Sequence, residues 1–188
     1  AHQRFDEAVA VATAEMLRQE SGSLLLFLPG VGEIQRVQEQ LTSRIGSDVL
    51  LCPLYGALSL NDQRKAILPA PQGMRKVVLE TNIAETSLTI EGIRLVVDCA
   101  QERVARFDPR TGLTRLITQR VSQASMTQRA GRAGRLEPGI CLQATLMKFI
   151  KDHQSNTAQL RVTLDHARQH AFGNYFQAGI RPDAVLRT

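Results

Sequence analysis

Three arginines recur at intervals of three in the run Gln128-Arg129-Ala130-Gly131-Arg132-Ala133-Gly134-Arg135. On a helix, positions i, i+3 and i+6 lie near one face, so the spacing predicts guanidiniums that project together. Each glycine inside a helix costs about 1 kcal/mol relative to alanine. Two of them in so short a run imply that the backbone comes close to a ligand or a neighbour. A cluster of permanently charged, fork-shaped donors suits phosphate oxygens above other ligands. The plain alternative, a solvated basic helix, has no need of the glycines.

The charge around that run is lopsided. Between Arg103 and Arg135 there are eight arginines against one acid, Asp108, so this segment carries +7 of a net +5 and the remainder sums to −2. A local arginine field points to a polyanion. A surface that is merely solubilising would use lysine and interleave glutamate. A second cluster, Thr81-Asn82-Ile83-Ala84-Glu85-Thr86-Ser87-Leu88-Thr89-Ile90, gathers small hydroxyls and an amide after an apolar run. In open α/β sheets ligands bind beyond the carboxyl ends of the strands. Taken alone, hydroxyls there could simply cap a helix.

These groups need a scaffold, and the apolar pattern predicts one. Phe5 to Gln19 has helical spacing, as do Glu33 to Arg44, with Ile34, Val37 and Leu41 on one face, and Asn61 to Leu68. Leu24 to Leu28, Val49 to Leu54, Lys76 to Leu79, Ile93 to Asp98 and Ile140 to Leu142 are short continuous apolar runs, as expected of strands buried on both faces. Strand and helix alternate, which indicates a parallel sheet with helical crossovers, an α/β fold. Arg103 to Thr118 breaks the rhythm and reads as a β-hairpin around Asp108-Pro109-Arg110-Thr111-Gly112. Ser122 or Ser125 is placed to cap the arginine-bearing helix.

The chain has 188 residues, enough for one well-cored domain and a small appendage. Aromatics are 4% with no tryptophan, which favours an aliphatic α/β core over a β-sandwich. No apolar run approaches the ~20 residues of a membrane span, and the start carries no signal-peptide core, so a cytoplasmic protein without membrane partners is expected. Cys52, Cys99 and Cys141 are odd in number and set in apolar runs, so they read as buried reduced thiols. After Leu142 the pattern predicts a helical tail, 143–188, with Leu160, Leu164, Ala167, Ala171 and Tyr175 on one face of its longer helix. His166 and His170 are one turn apart, but the H-E-x-x-H pattern is absent, so no metal site is expected there.

Taken together, the chain resembles the second RecA-like domain of DEAH-box ATP-dependent RNA helicases of superfamily 2, most closely the bacterial HrpB-like branch. Leu26 to Ile34 resembles motif IV, Thr81 to Ile90 motif V and Gln128 to Arg135 motif VI; the interposed hairpin and Phe107-Asp108-Pro109 fit the same branch. The resemblance implies a RecA-like three-layer domain over 1–142, with the hairpin inserted at 103–118. It implies that Arg132 and Arg135 are arginine fingers reaching the γ-phosphate of ATP, with Gln128 facing the same group. Ser87 would sense nucleotide state, Thr89 and Glu91 would lie near the ribose, and Ile67 would take the place of an aromatic on the adenine. Gly56, Thr81 and Asn82 would follow the backbone of single-stranded RNA, positioning it without reading sequence. Phe107, Arg110 and Leu113 would part the strands of a tailed duplex.

The sequence departs from the family at Glu80, where relatives carry a small residue, and a carboxylate there lies near RNA phosphates or is half buried. No G-x-x-x-x-G-K-[ST] loop and no Asp-Glu-x-His box occurs in the chain. The Mg²⁺–ATP cradle would therefore come mainly from a first RecA-like domain of the same protein, and this chain should be inert as an ATPase alone. Two other readings stay open on the sequence: a nucleic-acid-binding module without ATPase coupling, and a DNA helicase of the same superfamily.

Overall fold

The computed structural model describes residues 2–81, 90–132 and 140–142, and side chains within 5–81 and 90–132. In chain order the elements are α1 (His2–Gln19), β1 (Ser23–Phe27), α2 (Val31–Thr42), β2 (Val49–Leu54), α3 (Leu60–Ile67), β3 (Arg75–Glu80), β4 (Ile93–Asp98), β5 (Gln101–Asp108), β6 (Leu113–Arg120), α4 (Gln123–Ala130) and β7 (Ile140–Leu142). Five strands form one parallel sheet in the order β2-β3-β1-β4-β7. The predicted α/β architecture is present, and each predicted strand and helix of the described region appears within a few residues of its expected bounds.

Parallel strands covered on both faces must be apolar at every position, which is why the central runs do not alternate. Successive residues of β1 feed opposite cores. Leu24, Leu26 and Leu28 join Val77, Leu79, Leu95 and Val97 under α1 and α2, against Val9, Met16, Ile34, Val37 and Leu41. Leu25 and Phe27 join Leu54, Val78, Val96 and Ala66 of α3 on the other face. Each of these aliphatic side chains contributes about 1.5–3 kcal/mol through burial. Ser59 caps α3, its hydroxyl accepting from the Asp62 N–H at 3.2 Å. Lys76, buried in β3, donates to the carbonyls of Ala66 and Leu68 and so closes the other end of α3.

The hairpin is longer than the sequence suggested, spanning β5 and β6 through eight antiparallel pairs from Gln101↔Arg120 to Asp108↔Leu113. It forms a sheet of its own and pairs with no strand of the main sheet among the described residues. Its turn is fixed by Asp108, whose side chain accepts from the Arg110 N–H at 2.9 Å while its carbonyl accepts from the Gly112 N–H at 2.9 Å. Gly112 takes φ 66°, a left-handed conformation that favours glycine. At the root, Ala100 and Val121 are buried with Met126, and the Val121 N–H donates to the Ala100 carbonyl at 3.1 Å. The expected tail, 143–188, lies outside the described residues.

Candidate nucleotide and nucleic-acid site

The carboxyl end of the sheet is built by register. Phe27 stands level with Glu80 on one side and Asp98 on the other, so two carboxylates flank one aromatic ring on the face that α4 covers. Glu80 and Asp98 are fully buried. Arg129 reaches down from α4, donates to Asp98 Oδ1 at 3.0 Å and stacks over the Phe27 ring at 4.8 Å. The same Asp98 oxygen accepts from the Ala100 N–H at 2.8 Å. One carboxylate thus ties β4, the hairpin root and the arginine-bearing helix together. Arg132 lies 3.6 Å from Glu80, with its side chain only 8% exposed.

This geometry corrects the expectation of three arginines on one helical face. The α4 helix, capped by the Ser122 hydroxyl, ends at Ala130, and Gly131 follows as its C-cap. Arg132 is therefore beyond the helix, in the turn where its N–H donates to the Arg129 carbonyl at 3.1 Å. Arg129 does not project to a ligand at all: it is 2% exposed and turned into the sheet. Gly131 has an ordinary φ of −65°, and a Cβ added to it would meet the Gln128 carbonyl only at 3.4 Å. Close approach does not demand a glycine there. Glu80 is fully buried rather than half buried, with Arg132 Nη2 3.6 Å from its Oε2.

The remaining candidate residues fall at two ends of the sheet. Gly56 is exposed just past β2, and Thr81 is buried just past β3, both beside the Glu80–Phe27–Asp98 row; the Thr81 N–H donates to the Leu54 carbonyl at 3.4 Å. Gln128 is exposed on α4. Ile67, the last residue of α3, is half buried, and Glu91, just before β4, is exposed. These two belong to the amino end, where Gly22, Ser23, Asp48, Pro69, Arg75, Glu91 and Gly92 line an open depression of about 410 Å³. Burial pushes the Lys76 ammonium below its ordinary pKa, and the Cys52 thiol and Glu91 beside it pull the other way. Ser87, Thr89, Asn82 and Arg135 lie outside the described residues.

On the hairpin, Phe107, Leu113 and Leu116 are 60%, 57% and 69% exposed, and Arg110 is exposed in the turn. Register places Ala105, Phe107, Thr114 and Leu116 on one face, and Arg106, Arg115 and Leu113 on the other. Arg106 and Arg115 are directly opposite, a like-charge pair that costs stability unless an anion lies between. Cys99 is buried as expected and its thiol is raised well above its ordinary pKa, chiefly by burial; Cys52 is only half buried. The residues that sequence reasoning missed are Asp98, Phe27 and Lys76. Asp98 had one signal, a carboxylate closing an otherwise apolar strand. No described helix is long and apolar enough to cross a membrane.

Residues 7–137 match the family model of the helicase conserved C-terminal domain. The chain is 97% identical over 142 residues to the ATP-dependent RNA helicase HrpB of Escherichia coli strain K12, a stretch covering 76% of this chain and 18% of that protein. It is 47% identical over 125 residues to the probable ATP-dependent RNA helicase DHX34 of Mus musculus, covering 65% of this chain and 11% of the relative. A crystal structure of the E. coli DExH-box NTPase HrpB superposes with a TM-score of 0.71 at 97% identity, covering 75% of this chain and 18% of that one. The chain thus spans less than a fifth of the length of these relatives.

Proposed function

The chain belongs to the helicase conserved C-terminal domain family, and from that premise we propose that it is the second RecA-like lobe of a DEAH-type ATP-dependent RNA helicase. The observation that carries the reading is the family match across 7–137, which takes in Gln128, Arg132 and Arg135 together with the hydroxyl cluster 81–90. ATP and Mg²⁺ would be held mainly by a first RecA-like lobe. Arg132 and Arg135 would stabilise charge on the transferring phosphoryl group, an effect worth roughly 10³–10⁵ in rate where arginine fingers act. For that, Arg132 must leave Glu80. Ser87 would sense nucleotide state, Thr89 and Glu91 would lie near the ribose and Ile67 at the adenine, with Glu91 and Ile67 at the opposite end of the sheet from Arg132. Ile67 is aliphatic, so base stacking would be weak.

Gly56, Thr81 and Asn82 would carry single-stranded RNA along the carboxyl end of the sheet. The exposed Phe107, Arg110 and Leu113 would meet the junction of a tailed duplex. The domain would run over 1–142, with 143–188 as a separate tail, and the protein would work in the cytoplasm. The relatives named as RNA helicases support RNA over DNA. The test is reconstitution. This chain alone should hydrolyse no ATP above background, and fusion behind a lobe carrying a P-loop and an Asp-Glu-x-His box should yield RNA-stimulated turnover. RNA-stimulated hydrolysis by the isolated chain would refute the assignment.

A further inference from the structure

Gly30 sits at the junction of β1 and α2, with φ −165°, an extended conformation open to any residue. Its lack of a side chain leaves room for the ends of two long side chains. A Cβ there would stand 2.7 Å from Arg103 Nη1 and 2.8 Å from Glu33 Oε2. Through that gap Arg103, on the first hairpin strand, donates to Glu33 Oε1 at 3.1 Å. Glu33 is 5% exposed on α2. Its Oε1 also accepts from Arg36 Nη2 at 2.9 Å, and Arg36 Nε donates to the buried Asp6 of α1 at 2.5 Å. A chain of alternating charges thus runs from α1 through α2 to the hairpin. Burial works to raise the Glu33 carboxyl, but its own backbone N–H and the guanidiniums of Arg103 and Arg36 prevail and hold it below its ordinary value.

Among the described residues the hairpin pairs with no strand of the main sheet. Eight residues at about 3.3 Å each make an arm of roughly 25 Å, so a swing of ~10° at the root moves the tip by ~4 Å. Closely packed roots at Ala100 and Val121 fix where the arm begins; an ion pair to a rigid helix, several residues along, fixes its angle.

We propose that Glu33, gripping Arg103 across the open space of Gly30, is the positioning residue that sets the hairpin's angle to the sheet and so transmits lobe movement to the strand junction. The functional half rests on the helicase reading above; the mechanical half does not. Glu33 lies on the segment that follows β1, at the same end of the sheet as Gly56 and Thr81, so the strand that RNA would follow and the arm that would part it are indexed to one helix.

The two halves are tested separately. In this chain, with its native cysteines changed to alanine, spin labels at Glu39→Cys on α2 and Thr111→Cys at the turn report the arm's angle by pulsed electron resonance. Arg103→Met keeps the side-chain stem, and Glu33 keeps Arg36, so the fold should survive. The distance distribution should broaden about twofold in Arg103→Met and in Glu33→Gln, as for a released hinge, and Arg103→Lys should recover part of the original width. Arg115→Met removes the same charge from the outer hairpin and should leave the width unchanged. In the two-lobe protein, Arg103→Met should keep RNA-stimulated ATPase within about twofold while unwinding of a tailed duplex falls about tenfold. Unchanged widths in both clamp variants, or ATPase and unwinding falling in parallel, would overturn the proposal. A two-lobe protein with no RNA-stimulated ATPase would instead overturn the helicase reading, and the widths would still decide the clamp.

Discussion

At Glu80 and Arg132 a stability role and a catalytic role meet in one guanidinium. Truncating one partner of a buried ion pair strands the other, at about 3–5 kcal/mol. Arg132→Ala should therefore destabilise the domain as well as lower kcat in a two-lobe protein, and the single variant confuses the two effects. The double variant Glu80→Ala/Arg132→Ala removes both charges, so urea unfolding should recover most of the lost stability. Turnover should not recover, because the loss belongs to charge that develops in the transition state. If the double variant regained kcat, the finger role at Arg132 would have to be abandoned. Arg129 provides the contrast: its bond to Asp98 and its stack on Phe27 make it a structural group, and Arg129→Met should cost stability in the same range. Residue types and spacing could not sort these arginines. The sorting is done by Glu80 and Asp98, which are far apart in sequence and are brought level only by the parallel register around Phe27.

At the scale of elements, the strands and helices were legible because each follows one rule at a time. Continuous aliphatic runs can only be doubly covered strands, and Pro29-Gly30 or Pro69-Ala70 must end what precedes them. Less legible were the hairpin's extent and the end of α4. Gln101, Glu102, Gln119 and Arg120 pair as fully as the central rungs, but a solvent-facing ribbon carries no hydrophobic period to announce it. The α4 helix stops at Ala130 with Gly131 as its C-cap, where the arginine spacing alone suggested that it would run on, and Arg129 in its last turn is held by Asp98. Because the hairpin pairs with no strand of the main sheet among the described residues, its removal need not unravel the core. Replacing Arg106 to Arg115 by a tight turn should leave the melting temperature within a few degrees, a shift of about 1 kcal/mol or less. In the two-lobe helicase the deletion should spare RNA-stimulated ATPase and sharply reduce unwinding of a tailed duplex. A parallel loss of both activities, or undiminished unwinding, would remove the strand-separating role from Phe107, Arg110 and Leu113.

Over the whole molecule, the count of positive charges available to RNA is smaller than the sequence implied. The segment Arg103 to Arg135 carries eight arginines, but Arg103 is held by Glu33, Arg129 by Asp98 and Arg132 by Glu80. A guanidinium already neutralised by a carboxylate adds little to the salt dependence of RNA binding, whether the pair is buried, as at Arg129 and Arg132, or partly exposed, as at Arg103. Of the other five, Arg106, Arg110, Arg115 and Arg120 are exposed and all on the hairpin, and Arg135 lies outside the described residues. Each phosphate neutralised on a single strand lowers the slope of log K against log salt by about 0.7, so four contacts predict a slope of about −3 for this chain. Composition alone, with seven or eight contacts, would predict about −5 or steeper. Fluorescence anisotropy with a short labelled single strand, titrated across salt, distinguishes these values. The same measurement on the chain shortened between Arg106 and Arg115 should give a slope of about −1, because only Arg120 of the four is left. A slope of −5 in the intact chain would mean that RNA also draws on cations beyond those four, Arg132 or Arg129 pulled off its carboxylate among them. A slope that survives the deletion would place the RNA on charges outside the hairpin.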